Sequence, residues 1–334
     1  MNTNQNIIRW GIIGAGNVAE FKSGPPLYRT PGSALVAVMR RDAAKAEDFA
    51  RRHGTKRWYT DAEALIADPE INAVYIASPH DLHATHVTLV AQAHKFILCE
   101  KPMGRSSAEA QTCVDVCIAN DVSLTVAYYR RFWPITRAIQ HLIAQGAIGR
   151  VVQARVQVCD YTANDAERSW RESRAQSGGG ALANTGSHWV DLIRLFLGEV
   201  QDVMAYCSPE LEGDQVDFFI SAQLRTRSGA LVNIVVNQQS PTSINELEIL
   251  GTEGRILGSP YSEGRYLVER ANHQPELVSL PNSGPAHTDL VGELVTRLQT
   301  GQPAPIPGDE AVAVWRIMEA IYRSCEEGTR VKVA

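Results

Sequence analysis

Short apolar runs rich in branched side chains alternate with helical patterns along the first third of the chain. Ile7 to Ile13, Leu35 to Met39, Ala73 to Ala77, Phe96 to Cys99 and Val122 to Ala127 read as strands. Ala43 to His53, His83 to Ala93 and Ser107 to Asn120 read as the helices between them. Strand and helix in alternation predict a doubly wound parallel sheet, because a parallel crossover needs a helix to return the chain. From Val151 onward the period changes to two, in VVQARVQV, VDFFISAQLRTR and ALVNIVVNQ, broken by turn signals such as Arg227-Ser228-Gly229 and Thr252-Glu253-Gly254. That pattern predicts antiparallel strands with one buried face. Asp309 to Glu326 is helical again, and no internal repeat or low-complexity segment is visible.

With 334 residues the chain is too long for one ordinary core and suits two domains. The expected boundaries are 1–128 and 129–334, with the helix at about 309–326 crossing back to the first domain. A charged fraction of 21%, a hydrophobic fraction of 44% and a formal net charge of -5 give no electrostatic reason to expect nucleic acid or a membrane surface. A small-molecule partner is expected instead. Six scattered cysteines without a C-x-x-C pair read as reduced, mostly buried thiols. The start, MNTNQNIIRWG, has neither a basic n-region nor a long apolar h-region, and no later stretch could span a bilayer, so the expected compartment is the cytoplasm.

The first strand runs directly into Gly11-Ile12-Ile13-Gly14-Ala15-Gly16-Asn17-Val18-Ala19. Its G-x-G-x-x-A spacing places Gly14 at a tight turn, Gly16 where backbone must approach a pyrophosphate, and Ala19 where a helix packs close to the strand. Following a strand and opening a helix, it predicts a Rossmann dinucleotide-binding domain. The fold class is therefore α/β: an N-terminal Rossmann doubly wound parallel sheet, then a C-terminal α+β domain with a large, mainly antiparallel open sheet. At the end of the second strand, where an acid would accept from a ribose 2'-OH, stands Met39-Arg40-Arg41-Asp42. Two guanidiniums suit a 2'-phosphate better than a bare hydroxyl, so NADP(H) is favoured with NAD(H) left open. The competing reading is that the arginines are surface charge and Asp42 caps the next helix.

ILCEKPMG, residues 97 to 104, ends an apolar run with a carboxylate, an amine and a proline that has no N–H to donate. That CEKP, the glycine turn, GGGALANTGSHWVD, the junction Tyr128-Tyr129-Arg130-Arg131 and the pair Trp170-Arg171 together resemble the glucose-fructose oxidoreductase / inositol dehydrogenase / MocA family of dinucleotide-dependent sugar oxidoreductases. The resemblance covers nearly the whole chain. It implies that Lys101 stands at the carboxyl end of a parallel strand, where ligands bind in open α/β sheets, and that a turn fixed by Pro102, often through a cis bond, aims the amine at nicotinamide and substrate. It further implies that Gly14, Gly16, Asn17, Val18, Arg40, Arg41, Ser78, His83, Glu100 and Lys101 bind the cofactor, and it makes Tyr129, Arg131 and Arg171 candidates for holding substrate hydroxyls, with a plain structural role the alternative for each.

Asn184 and His188 are four residues apart, so on a helical turn both face one side. Histidine titrates nearest neutrality, and His188 is the expected acid/base partner of Lys101, with a structural or substrate-binding histidine as the alternative. Relatives carry aspartate where this chain has Asn184. An amide can orient an imidazole or bind a hydroxyl but cannot supply charge, so Asn184 is assigned to the substrate, and Asp191 reads as a helix-surface or packing carboxylate.

His80, His83 and His86 recur every three residues but lack the cysteines or clustered carboxylates that would complete a metal site, and no metal is expected. Cys113 and Cys117 share a helix face and read as core thiols. The leading expectation is a dehydrogenase or reductase acting on a carbinol or carbonyl of a sugar, inositol or related polyol. A cofactor-assisted glycosidase and a non-catalytic dinucleotide or sugar sensor are the alternatives that the fold also permits. The family implies a homo-oligomer, dimer or tetramer, built through sheet faces.

Overall fold

The computed structural model describes residues 7–161 and 170–334; the first six residues of the opening stretch lie outside them. Contacts divide the chain into two units, 1–129 with 283–312, and 130–282 with 313–334.

In the first unit the strands are β1 (Ile8–Ile13), β2 (Ser33–Met39), β3 (Arg57–Tyr59), β4 (Ala73–Ile76), β5 (Phe96–Cys99) and β6 (Leu124–Val126). Their order is β3-β2-β1-β4-β5-β6, every neighbouring pair parallel. All four residues of central β4 are buried, as a strand covered on both faces requires. The helices are α1 (Gly24–Arg29), α2 (Ala43–Arg52), α3 (Ala62–Ile66), α4 (His83–Gln92) and α5 (Ser107–Ala119). Asp42, Asp61 and Ser106 cap α2, α3 and α5, each side chain accepting from a backbone N–H in the first turn. The expected strands and helices of this unit recur within a few residues of their predicted ends. β3 and α3 are additional, and both are too short to carry a readable period.

The helical run after the glycines does not continue as a plain α-helix: Ala19–Ser23 is a π-type turn before α1. Pro25 and Pro26 have no N–H, so the carbonyls a turn earlier lose their usual donors. The Lys22 carbonyl instead accepts the backbone N–H of His287 at 3.2 Å.

In the second unit the described strands are β7 (Val151–Cys159), β8 (Val200–Ser208), β9 (Phe219–Thr226), β10 (Leu231–Asn237), β11 (Ile244–Gly251), β12 (Gly254–Gly258), β13 (Arg265–Arg270), β14 (Glu276–Ser279) and β15 (Val331–Lys332). They form one sheet in the order β14-β13-β12-β11-β7-β10-β9-β8-β15. All its pairs are antiparallel except β7 with β10. Alternate residues such as Val156, Ile220, Leu224, Val232, Ile234 and Ile249 are buried, the one-faced pattern that the period of two predicts. The helices are α6 (Pro134–Ala144), α7 (Arg174–Ser177) and α8 (Ser187–Leu197).

Two further helices follow, α9 (Thr288–Thr300) and α10 (Gly308–Glu327). The segment that belongs with the first unit is 283–312, containing α9, whereas α10 from Ala313 onward belongs with the second. This differs from the expected return of 309–326. An amphipathic pattern announces a helix but not which apolar surface receives it. The Val126 N–H at the edge strand β6 donates to the Ile306 carbonyl at 3.0 Å, so the 283–312 segment also satisfies backbone of the parallel sheet.

Candidate active site

The first unit gathers its polar groups at the carboxyl ends of β1, β2, β4 and β5. Gly14 sits at φ +87°, and a Cβ there would lie 2.7 Å from the backbone of Ala77 and Ser78, so no other residue fits. The N–H groups of Gly14 and Ala15 both donate to the Met39 carbonyl at 3.1 Å, tying the turn to the end of β2. Gly16 is different: a Cβ would meet only the Gly14 carbonyl, at 3.9 Å, so protein atoms do not require a glycine there. Asn17 is exposed and Val18 half-buried on the helical turn that follows.

Arg40 is half-buried and its Nη1 donates to the Ala15 carbonyl at 3.4 Å, laying the guanidinium along the glycine turn. Arg41 is exposed. The Asp42 carboxylate accepts the Lys45 N–H at 3.1 Å and so caps α2, as the competing reading held.

Lys101 is half-buried at the end of β5, before a cis peptide bond to Pro102. Beside it Glu100 is buried with each carboxylate oxygen engaged. Oε1 accepts from the Tyr75 hydroxyl at 2.7 Å and lies 2.7 Å from His287 Nε2; Oε2 accepts the Lys101 N–H at 3.1 Å. Burial alone would raise the Glu100 pKa, but the charge and hydrogen bond of His287, the Lys101 charge and the Tyr75 hydroxyl pull it down to about 2. The carboxylate is therefore ionised at neutral pH.

Ser78 Oγ lies 2.9 Å from His86 Nδ1. His83 is fully buried, with Nδ1 3.0 Å from the Pro102 carbonyl and Nε2 2.9 Å from that of Ser78. Desolvation lowers its pKa against the pull of those two carbonyls. The imidazole thus braces the end of β4 against the turn that follows Lys101. Among the described residues no cluster of metal-ligating side chains is placed to hold an ion.

The second unit holds the remaining expected residues. His188 is buried in the first turn of α8, and Asn184 is half-buried. The two do not share a regular helical turn: Leu182–Gly186 is a π-type turn, whose wider spacing breaks the four-residue register that the sequence suggests. The Asp217 carboxylate, fully buried, fixes the glycine-rich stretch before it by accepting the N–H groups of Gly180 and Leu182 at 2.8 Å and the Tyr322 hydroxyl at 2.9 Å.

Arg131 and Asp191 engage each other. The guanidinium forks onto the buried carboxylate, with Nε 2.9 and 3.0 Å from its oxygens and Nη2 2.5 Å from one. Asp191 is thus a buried packing carboxylate, the second of its two readings, and the Arg131 fork is engaged by protein, in keeping with the structural alternative for that arginine. Arg171 lies with its guanidinium carbon 4.6 Å from the Trp170 ring centroid. Tyr129 is buried in the first unit, its ring centroid 4.4 Å from that of His287.

Tyr75, His287 and Asp217 escape sequence reasoning. None stands in a recognisable motif, and His287 lies 187 positions beyond Glu100. A buried carboxylate demands donors, so Glu100 signals that partners exist but not where they are.

Residues 8–128 match the family described as "Oxidoreductase family, NAD-binding Rossmann fold", and residues 136–257 match the "GFO/IDH/MocA C-terminal domain". The chain is 34% identical over 323 residues to oxidoreductase P35 of Formosa agariphila, covering 93% of this chain and 97% of that protein. It is 27% identical to D-xylose 1-dehydrogenase (NADP(+)) 2 of Haloferax volcanii, covering 97% and 99%. A solved structure of levoglucosan dehydrogenase in complex with NADH and levoglucosan superposes with a TM-score of 0.86 at 25% identity, covering 98% of this chain and 99% of that one. The chain belongs to the GFO/IDH/MocA family and is a dinucleotide-dependent oxidoreductase with an NAD-binding Rossmann domain.

Proposed function

We propose that this oxidoreductase interconverts a carbinol and a carbonyl on a sugar or related polyol, with NADP(H) as the preferred cofactor and Lys101 as the group that binds the reacting oxygen. The observation that carries the reading is the placement of Lys101 at the carboxyl end of β5, next to an ionised, fully engaged Glu100 and in the same unit as the glycine turn. The sugar class is supported by the names of the relatives, a xylose dehydrogenase and a levoglucosan dehydrogenase.

The residues present fit the dinucleotide. Gly16 leaves open the space a pyrophosphate needs for close approach, and Asn17 and Val18 follow on the opening turn of a helix, whose N–H groups favour anions. Ser78 and His83 border the same end of the sheet, and Glu100 fixes the loop. When bound, the nicotinamide supplies the hydride acceptor or donor. The preference for a 2'-phosphate rests on Arg40 along the glycine turn, on exposed Arg41, and on an Asp42 carboxylate already engaged in capping.

In this reading the Lys101 ammonium donates to the substrate oxygen and favours its alkoxide, and His188 takes or returns the hydroxyl proton. Asn184, Tyr129 and Arg171 hold other hydroxyls; Arg131 sets the position of Asp191 and α8 instead. The six unpaired thiols favour a cytoplasmic location. Self-association through the face of the nine-stranded sheet that carries exposed Tyr206 and Leu231 completes the proposal.

The test is a fluorescence titration of cofactor-free protein with NADPH and NADH, then turnover of a sugar and polyol panel by wild type and Lys101→Ala. Expected are NADPH binding at least about tenfold tighter than NADH, and a loss of about a hundredfold or more in Lys101→Ala turnover. A preference for NADH sinks the arginine argument; turnover within a few fold sinks the role of Lys101. Light scattering on the same sample reads the subunit count.

A further inference from the structure

We propose that His287 is a positioning residue for Lys101, acting through Glu100. The inference rests on the reading of Lys101 as the group that meets the reacting oxygen. The Glu100 carboxylate joins three parts of the first unit at one point: Tyr75 from β4, His287 from the turn before α9, and the backbone of Lys101 itself.

Each contact constrains the next. The Glu100 N–H donates to the Ile76 carbonyl at 2.9 Å, extending the β4–β5 ladder to the last residue before Lys101. Beyond that point the ladder ends, and the Lys101 N–H is held by the Glu100 Oε2. The orientation of that carboxylate therefore sets the backbone from which the amine projects. Its other oxygen has two partners, and they come from opposite directions in sequence, 25 residues before and 187 after.

His287 is itself held rigidly. Its side chain is fully buried, its N–H donates to the Lys22 carbonyl that the prolines of α1 leave open, and its ring packs 4.4 Å from Tyr129 and 6.3 Å from Tyr75 between centroids. A ring so confined has one way to present Nε2 to Glu100. Removing it leaves a buried ionised oxygen with a single donor, and a carboxylate in that position rotates or admits water to recover its partner. The Lys101 N–H then loses its fixed carboxylate acceptor, and a displacement on the order of 1 Å at a reacting group can cost about a hundredfold in rate.

The glycine turn does not use this network. Gly14 and Ala15 are tied to Met39, so dinucleotide binding is expected to survive. A residue that merely stabilised the fold would lower binding and turnover together. A positioning residue lowers kcat, leaves cofactor affinity in place, and is rescued by a side chain that restores the donor. Gln can place its amide N–H where Nε2 stands, whereas Leu cannot.

The experiment compares wild type, His287→Leu, His287→Gln, Lys101→Ala and the double variant His287→Leu/Lys101→Ala for kcat, KM and NADPH binding by fluorescence. Expected are a fall in kcat of about ten- to a hundredfold for His287→Leu, unchanged NADPH affinity, recovery of most of that loss in His287→Gln, and no further loss on adding His287→Leu to Lys101→Ala. If Lys101→Ala is as active as wild type, the underlying assignment of Lys101 fails. If Lys101→Ala is inactive while His287→Leu keeps full kcat, the positioning role alone is overturned. It is also overturned if both His287 variants lose NADPH binding and turnover in parallel, or if the double variant falls well below Lys101→Ala.

Discussion

The Glu100 network makes a prediction about stability that does not depend on catalysis. Its carboxyl falls from an ordinary 4.5 to about 2 in the folded chain. At about 1.36 kcal/mol per pKa unit, that depression corresponds to about 3 kcal/mol of folding free energy. Because the folded value is lower than the unfolded one, the contribution is complete above pH 4.5 and is lost as the pH falls toward 2. By pH 3 the linkage relation removes about 2 kcal/mol of it. Urea unfolding of wild type and Glu100→Gln, followed by circular dichroism from pH 7 to pH 3, reads the effect as a difference, since other titrating carboxylates contribute equally to both. Wild type is expected to lose about 2 kcal/mol relative to the variant across that range. Parallel stability curves would refute the claim that Glu100 is held ionised by His287, Lys101 and Tyr75.

Two further perturbations separate structural demands from functional ones. Gly14→Ala should destabilise the first unit by about 2 kcal/mol or more, since the added carbon meets backbone at a positive φ; Gly16→Ala should leave thermal unfolding within about 0.5 kcal/mol of wild type while weakening dinucleotide binding. Equal destabilisation by both would remove the distinction drawn between the two glycines. In the second unit, Asp191→Ala should cost about 3–5 kcal/mol by removing the buried carboxylate onto which the Arg131 guanidinium forks, whereas Arg131→Met/Asp191→Leu should cost much less. Chemical denaturation measures both, and a double variant as unstable as the single one would refute the ion-pair account.

Legibility in the sequence followed the range of the forces involved. β4, β5 and α5 stand out because their burial pattern is written in consecutive residues, and β7, β9 and β10 because one buried face imposes a period of two. The glycine turn and Lys101 are equally local, being motifs of a few adjacent residues. What stayed hidden depends on contacts between distant positions. The π-type turn at Leu182–Gly186 alters the register of Asn184 and His188 without leaving a compositional mark. The sequence leaves Arg131 open between a substrate clamp and a structural role, because the Asp191 that fills its fork lies 60 positions on. The return of residues 283–312 to the first unit has the same character, since apolar periodicity does not name the surface that a helix will cover.

That discontinuity has a consequence for biosynthesis. A nascent chain folds from its N-terminal end as it leaves the ribosome. Here the parallel sheet is fully synthesised by Val126, yet the Ile306 carbonyl that accepts from its edge and the His287 imidazole that faces Glu100 do not yet exist. Translation must continue through the whole of residues 130–282 before the first unit can close. The second unit's central strands can therefore pair before the first unit is finished, and an expressed fragment ending near residue 128 would carry a buried carboxylate with its histidine missing. The dinucleotide-binding unit, begun first, is finished only at Val312, after strands β7 to β14 of the second unit have been made.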